Sequence, residues 1–175
     1  MDRQQLQAVQ APIKAHLRDT PGAGLVTLRA EGDLDPEEIA CSVATGRALV
    51  EAGLHPATGG DGLQACSGDM LLQALVACAG VTLRSVATSM ELRVTGTVRA
   101  EGDLDFRGTL GVDRQVPVGF RAIRLLFDLE ADASEEQLVT LLRLTERYCV
   151  VYQTIAGGVP VSAGLAGGAP PGVDG

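Results

Sequence analysis

The stretch that most restricts this chain is Met70 to Val81, MLLQALVACAGV, in which Gln73 is the one polar side chain and no proline intervenes. Leu71, Leu72, Leu75 and Val76 sit among Ala74, Ala77, Cys78, Ala79 and Gly80, so a helix built from it is apolar around most of its circumference and has to be buried. Steps of three and four around Cys78 run through Ala74, Val81, Thr82, Ser85 and Ser89, a stripe of mostly small side chains along which another backbone can approach closely. A membrane span needs about 20 apolar residues in a row, and Arg84, Ser85, Thr88 and Ser89 interrupt the run before that. The expectation is a long core helix over Met70–Met90 in a soluble protein.

The 175 residues suit one domain with a proper core. With 46% hydrophobic residues and no tryptophan, that core must be aliphatic. The formal charge of −8 is spread along the chain without a Lys/Arg cluster, which argues against nucleic acid or an anionic membrane surface as partner. The opening Met1-Asp2-Arg3-Gln4-Gln5 has no apolar segment of the secretory kind, so the expected compartment is the cytoplasm. In that reducing setting the four cysteines read as working thiols or small core residues before they read as a disulfide framework.

Leu6, Val9, Ile13 and Leu17 at spacings of three and four predict an amphipathic helix over Asp2–Arg18, kinked or begun again at Pro12 and ended by Pro21-Gly22. Gly24–Ala30 and Ile39–Ala44 read as a hairpin around an acidic turn, Glu31–Pro36. Arg29–Asp35 (RAEGDLD) recurs letter for letter as Arg99–Asp105; seven residues do not establish a duplicated domain, and the expected reading is a strand-to-turn solution used twice. Asp33, Asp35 and Glu37 alternate as in a calcium loop, but Glu38 and Ala44 stand where that loop needs Gly and Glu. Gly53–Gly62 is a glycine-rich loop without a following Gly-Lys-Ser/Thr, which reads as a lid or connection rather than a phosphate cradle. Arg93–Ala100, Phe106–Val112 and Phe120–Glu130 read as strands, with a turn at Val116–Gly119. Ser134 and Gln137 form a capping box for a helix through Tyr148, whose stripe Leu138, Leu142, Thr145 and Cys149 turns Cys149 to the core. Val150–Ile155 then leads to a last strand, Val159–Val161, and from Gly164 the composition is that of a disordered tail. The sum is an α+β domain of antiparallel sheet on a long buried helix, preceded by a helical extension over residues 1–20.

No Gly-x-Ser-x-Gly is present, and His16 and His55 are the only histidines, so a serine triad is excluded. A Cys-His pair would have to use His55. The cysteines at 41, 66, 78 and 149 include no Cys-x-x-Cys and no histidine pair nearby, which leaves no case for a metal and none for another cofactor. Thiol redox chemistry remains, and it needs one thiol held as thiolate and a second to capture the sulfenic acid. Against it stands the reading of Cys78 and Cys149 as inert core thiols, since burial without a compensating charge keeps a thiol protonated.

Ser67–Cys78 (SGDMLLQALVAC), continuing through Arg84, resembles the central-helix motif of the OsmC/Ohr family of organic hydroperoxide reductases; Pro117–Arg124 and Glu146–Thr154 resemble its following strand and second cysteine motif. The resemblance spans about Cys41 to Val161 and implies an OsmC-like domain over 21–163, with 164–175 as tail, in an intertwined homodimer with its sites near the interface. It implies Cys78 as peroxidatic and Cys149 as resolving cysteine, an organic hydroperoxide as substrate and a dihydrolipoamide-like or thioredoxin-like dithiol as reductant. Thr45-Gly46-Arg47 matches where such reductases carry an activating arginine. Gly68 stands where they place a glutamate to hold that arginine, with Asp69 beside it, and Val150 stands where the family often has proline. Asp69 has two readings: a carboxylate serving Arg47 or the partner subunit, or one that complements the helix N-terminus. A non-catalytic member that binds an apolar or electrophilic small molecule is the alternative that Gly68 favours. Cys41 and Cys66 are expected to be bystanders.

Overall fold

The computed structural model describes residues 3–34, 41–43, 52–63 and 65–164. In order, these form α1 (Arg3–Asp19), a 3-10 turn (Pro21–Gly24), β1 (Leu25–Leu34), β2 (Cys41–Val43), β3 (Ala52–Gly53), a second 3-10 turn (Pro56–Thr58) and β4 (Ala65–Cys66). Then come α2 (Ser67–Ser89), β5 (Val94–Asp105), α3 (Phe106–Thr109), β6 (Ala122–Ala131), α4 (Glu135–Tyr148) and α5 (Val150–Gly157). Arg47, the end of the expected acidic turn (Asp35-Pro36) and the tail beyond Gly164 lie outside the described residues.

α2 is the expected core helix, begun three residues earlier than its apolar run because Ser67-Gly68-Asp69 supplies the first turn. Leu72, Val76, Ala79, Leu83 and Ala87 are wholly buried, and each large side chain so removed from water contributes roughly 1.5–3 kcal/mol before entropy is counted. One side of α2 packs on β1 and β5, and α4 and α5 cover another. By length and hydropathy alone α2 could cross a membrane; its packing shows why it is apolar instead. Even Arg84, which interrupts the apolar pattern, is buried, and it donates from Nη1 to the Val94 carbonyl at 3.0 Å.

The main sheet is antiparallel in the order β2-β1-β5-β6, while β3 and β4 form a separate two-residue parallel pair. β1 and β5 run on through the repeated RAEGDLD segment, which is therefore strand and not turn through Leu34 and Asp105. The two copies pair with each other about Ala30 opposite Ala100, so that Arg29 faces Glu101 and Glu31 faces Arg99. Gly102 looks like a turn residue in sequence, but a Cβ there would lie 2.4 Å from the Phe120 ring, so glycine serves close packing.

Phe106–Val112 is not the expected strand. Asp105 leaves the sheet as the N-cap of α3, accepting from the Arg107 amide at 3.1 Å and ion-pairing with the Arg107 guanidinium (Nε to Oδ1 3.0 Å). That local bond diverts the chain before strand pairing can continue. Ser134 and Gln137 close the capping box of α4 from both sides. Val150–Gly157 is helix, and no strand follows at Val159–Val161.

Gly96 has φ +132°, and a Cβ built on it would stand 2.0 Å from the Asp128 carbonyl oxygen. Gly96→Ala is expected to cost about 3 kcal/mol, the upper end for a strained backbone position, because the clash is with backbone that cannot rotate away. Urea unfolding checks this; an unchanged midpoint would contradict the β5–β6 register.

Candidate functional site: the Cys78–Cys149 pair

Cys78 sits halfway along α2 and is half-buried, whereas Cys149 is wholly buried. Cys149 holds a double position. Its amide closes α4 by donating to the Thr145 carbonyl at 2.9 Å, and its sulfur caps α5 by accepting from the Tyr152 amide at 3.4 Å. With φ −73° and ψ 108° this single residue is the extended link between the two helices. Sulfur here takes the capping place that Ser or Asp oxygen usually fills. Leu141 and Thr145, fully buried on the same face of α4, fix its approach to α2.

Cys149 thus delivers the start of α5 onto Cys78. Four donors act on the Cys78 sulfur and lower its pKa: the backbone of Val151, the Cys149 thiol, the backbone of Val150 and the Thr82 hydroxyl. Burial by itself raises the Cys78 pKa, but these four donors outweigh it, and the thiol lies below its ordinary range. The unpaired amides of a helix N-terminus have this effect on thiolates. Cys149 goes the other way: burial first, then its hydrogen bond to Cys78 and the charge there, push it up to about 11 against the Tyr152 amide. Of the two thiols Cys78 therefore ionises first, while Cys149 keeps its proton to higher pH.

Two cavities lie along the same helix. One of about 520 Å³ is walled by Leu71 and Leu75 of α2, Phe120 just before β6, Ile123 at its start, and Tyr152 and Ile155 of α5. It is mostly apolar and of ligand size. The other, of about 420 Å³, is lined by Val81, Thr82, Ser85, Val86, Ser89 and Tyr148.

Of the four residues the sequence singled out, the structure brings Cys78 and Cys149 together. Asp69 is elsewhere, in the first turn of α2, about 13 Å along the axis from Cys78 at 1.5 Å per residue. Burial raises its carboxyl above the usual carboxylate range and the charge of His55 partly opposes that. His55 is itself fixed by stacking on Phe106, with ring centroids 4.8 Å apart, and by the Ala57 amide, which donates to Nδ1 at 3.0 Å. Cys66 precedes α2 and packs against the core without a thiol partner among the described residues. The sequence reading missed the amides of Val150 and Val151, which no side-chain pattern announces. It placed Thr82 on the Cys78 stripe without giving it a role.

The sequence profile of OsmC, described as OsmC-like protein, matches residues 59–163. This chain belongs to the OsmC-like family. The matched part of the OsmC-like chain takes in the end of the glycine-rich loop from Gly59, α2 and both cysteines of the pair. The crystal structure of an OsmC-like hydroperoxide resistance protein from Jannaschia sp. CCS1 has the same fold, with a TM-score of 0.53 and 15% sequence identity over 84% of this chain and 97% of that one. No curated protein matches the OsmC-like chain by sequence.

Proposed function

We propose that this protein is a thiol-dependent peroxidase that reduces organic hydroperoxides to alcohols. The observation that carries the reading is the contact between a lowered thiol, Cys78, and a raised one, Cys149, at the junction of α2, α4 and α5. The Cys78 thiolate attacks the terminal oxygen of ROOH; the O–O bond breaks, the alkoxide takes a proton to leave as ROH, and Cys78 becomes a sulfenic acid. That step removes the negative charge that holds the Cys149 proton, so the second thiol becomes easier to ionise just when it is needed. Its sulfur attacks Cys78, water leaves, and the disulfide is returned to two thiols by a dihydrolipoamide-like or thioredoxin-like dithiol. The 520 Å³ cavity, which shares α2 and α5 with the pair, accommodates an apolar R group. The same reading gives Arg47 as the cation that draws the peroxide to Cys78, Asp69 as the carboxylate that serves Arg47, a homodimer in which each site lies near the interface, and a cytoplasmic setting.

Steady-state consumption of cumene hydroperoxide with dihydrolipoamide or dithiothreitol tests it, with turnover expected and Arg47→Ala and Asp69→Asn each lowering kcat/KM. A second reading, a non-catalytic binder of apolar or electrophilic small molecules, draws on the same cavity. Tight binding of an apolar probe without peroxide consumption would favour it.

A further inference from the structure

The 520 Å³ cavity has one charged side chain in its lining, Arg121, among Leu71, Leu75, Ile123, Leu125 and Ile155. The backbone of Arg121 is fixed just before β6, where its amide donates to the Asp103 carbonyl at 2.8 Å. Its guanidinium is not fixed in the same way. The carboxylate within ion-pair range of it is Asp105, whose Oδ2 is 4.0 Å from Arg121 Nη1, beyond hydrogen-bond distance. Asp105 is already taken: Arg107 Nε reaches Oδ1 at 3.0 Å and Oδ2 at 3.1 Å, and Arg107 Nη2 also meets Oδ2. The Asp105 side chain is wholly buried, whereas that of Arg121 is 48% exposed. Two guanidiniums thus share one carboxylate, and the positive charge left over stands at the rim of the cavity. Arg124 shows the contrast, closed by Asp103 at 2.6 and 3.0 Å and by Glu101 at 3.4 Å.

We infer that this cavity is a binding site for an amphiphilic anion, an apolar molecule with one carboxylate or similar oxyanion head, and that Arg121 is the residue that reads the head. The apolar walls take the body, and the volume is that of a small-molecule site. A planar guanidinium with free N–H groups offers paired donors to an oxyanion. On a chain of formal charge −8, an uncompensated cation beside an apolar surface also singles out the one place where an anion is welcome. As an account of the substrate, the inference rests on the peroxidase reading, to whose R group it adds an acidic head; as an account of binding, it does not. Arg121 is then a specificity residue with no part in O–O cleavage.

The test uses no peroxide. Anilinonaphthalene sulfonate and the neutral phenylnaphthylamine share one apolar body and differ by the anionic group, and the fluorescence of each reports its binding. The parent is expected to bind both. Arg121→Gln is expected to bind the sulfonate roughly tenfold more weakly, the scale of one charge-assisted hydrogen bond, and the neutral probe within about twofold of the parent. Ile155→Trp, which fills the cavity, is expected to weaken both. Arg114→Gln, exposed on the turn before β6, removes the same charge elsewhere and is expected to change neither. No sulfonate binding to the parent, equal losses of the two probes in Arg121→Gln, an unchanged sulfonate affinity there, or an Arg114→Gln as weak as Arg121→Gln would each overturn the inference, as would an Ile155→Trp that binds both like the parent. Should Arg121→Gln lose its native circular dichroism, the parent decides: decanoate is expected to displace the neutral probe and decyltrimethylammonium, of the same chain length, is not, and any other pattern overturns the inference. If the probes behave as expected but no hydroperoxide is consumed, the peroxidase reading fails while the anion site stands.

Discussion

Cys78→Ser is expected to abolish reaction with hydroperoxide, while Cys149→Ser still reacts once and stops at a sulfenic acid that dimedone traps. The asymmetry follows from the environment of each sulfur. Cys78 is half-buried, its pKa is lowered by the backbone at the start of α5, and it shares α2 with the apolar cavity. Cys149 is buried and protonated up to about 11, so it is a poor first nucleophile. An alkoxide oxygen is far harder to ionise than a thiol and cannot replace Cys78. The Cys78→Ser loss should therefore be complete within detection, on the order of 10³-fold or more if nucleophilic attack is the step removed. A single turnover surviving in Cys78→Ser, or trapping that needs Cys149 instead, would reverse the assignment.

Leu141→Ala is expected to carry the largest cost in stability among single changes near the site, about 2–5 kcal/mol. Leu141 is wholly buried on α4, on the face turned to α2, two turns before Cys149. Its truncation leaves a void between the helices that bring the cysteines together, so the chemistry should change as well. The first oxidation persists, but disulfide formation slows and dimedone trapping of Cys78 rises, because Cys149 is no longer held against it. Leu138→Ala, at a partly buried position on the same helix, should do less on both counts. Equal unfolding midpoints for Leu141→Ala and the parent would contradict this packing.

What the sequence disclosed depended on where the information lies. α2 was legible because its apolar run has only one home in a soluble protein, and α4 because Ser134 and Gln137 state its beginning in side-chain chemistry. The acidic RAEGDLD segments misled because Gly-Asp is a turn signal locally, whereas each copy is held extended by the other, a partner about seventy residues away. Phe106–Val112 looks like a strand until Asp105 caps a helix in front of it. α5 was missed for a similar reason: Val150-Val151-Tyr152 favours extended structure by propensity, and the helix exists because the Cys149 sulfur caps it and α2 packs against it. That same helix contributes the amides that set Cys78 apart from an ordinary core thiol. Spacing placed the two cysteines on core-facing stripes; the opposite environments of their sulfurs needed the fold.

Mass spectrometry of the wild-type protein after one equivalent of organic hydroperoxide tests the central claim most directly. The account predicts one disulfide within the chain, Cys78 to Cys149, with Cα atoms drawn to about 4.4–6.8 Å apart, and with Cys41 and Cys66 still reduced. A disulfide through Cys41 or Cys66, or a Cys78 that stays a free thiol while peroxide is consumed, would contradict it.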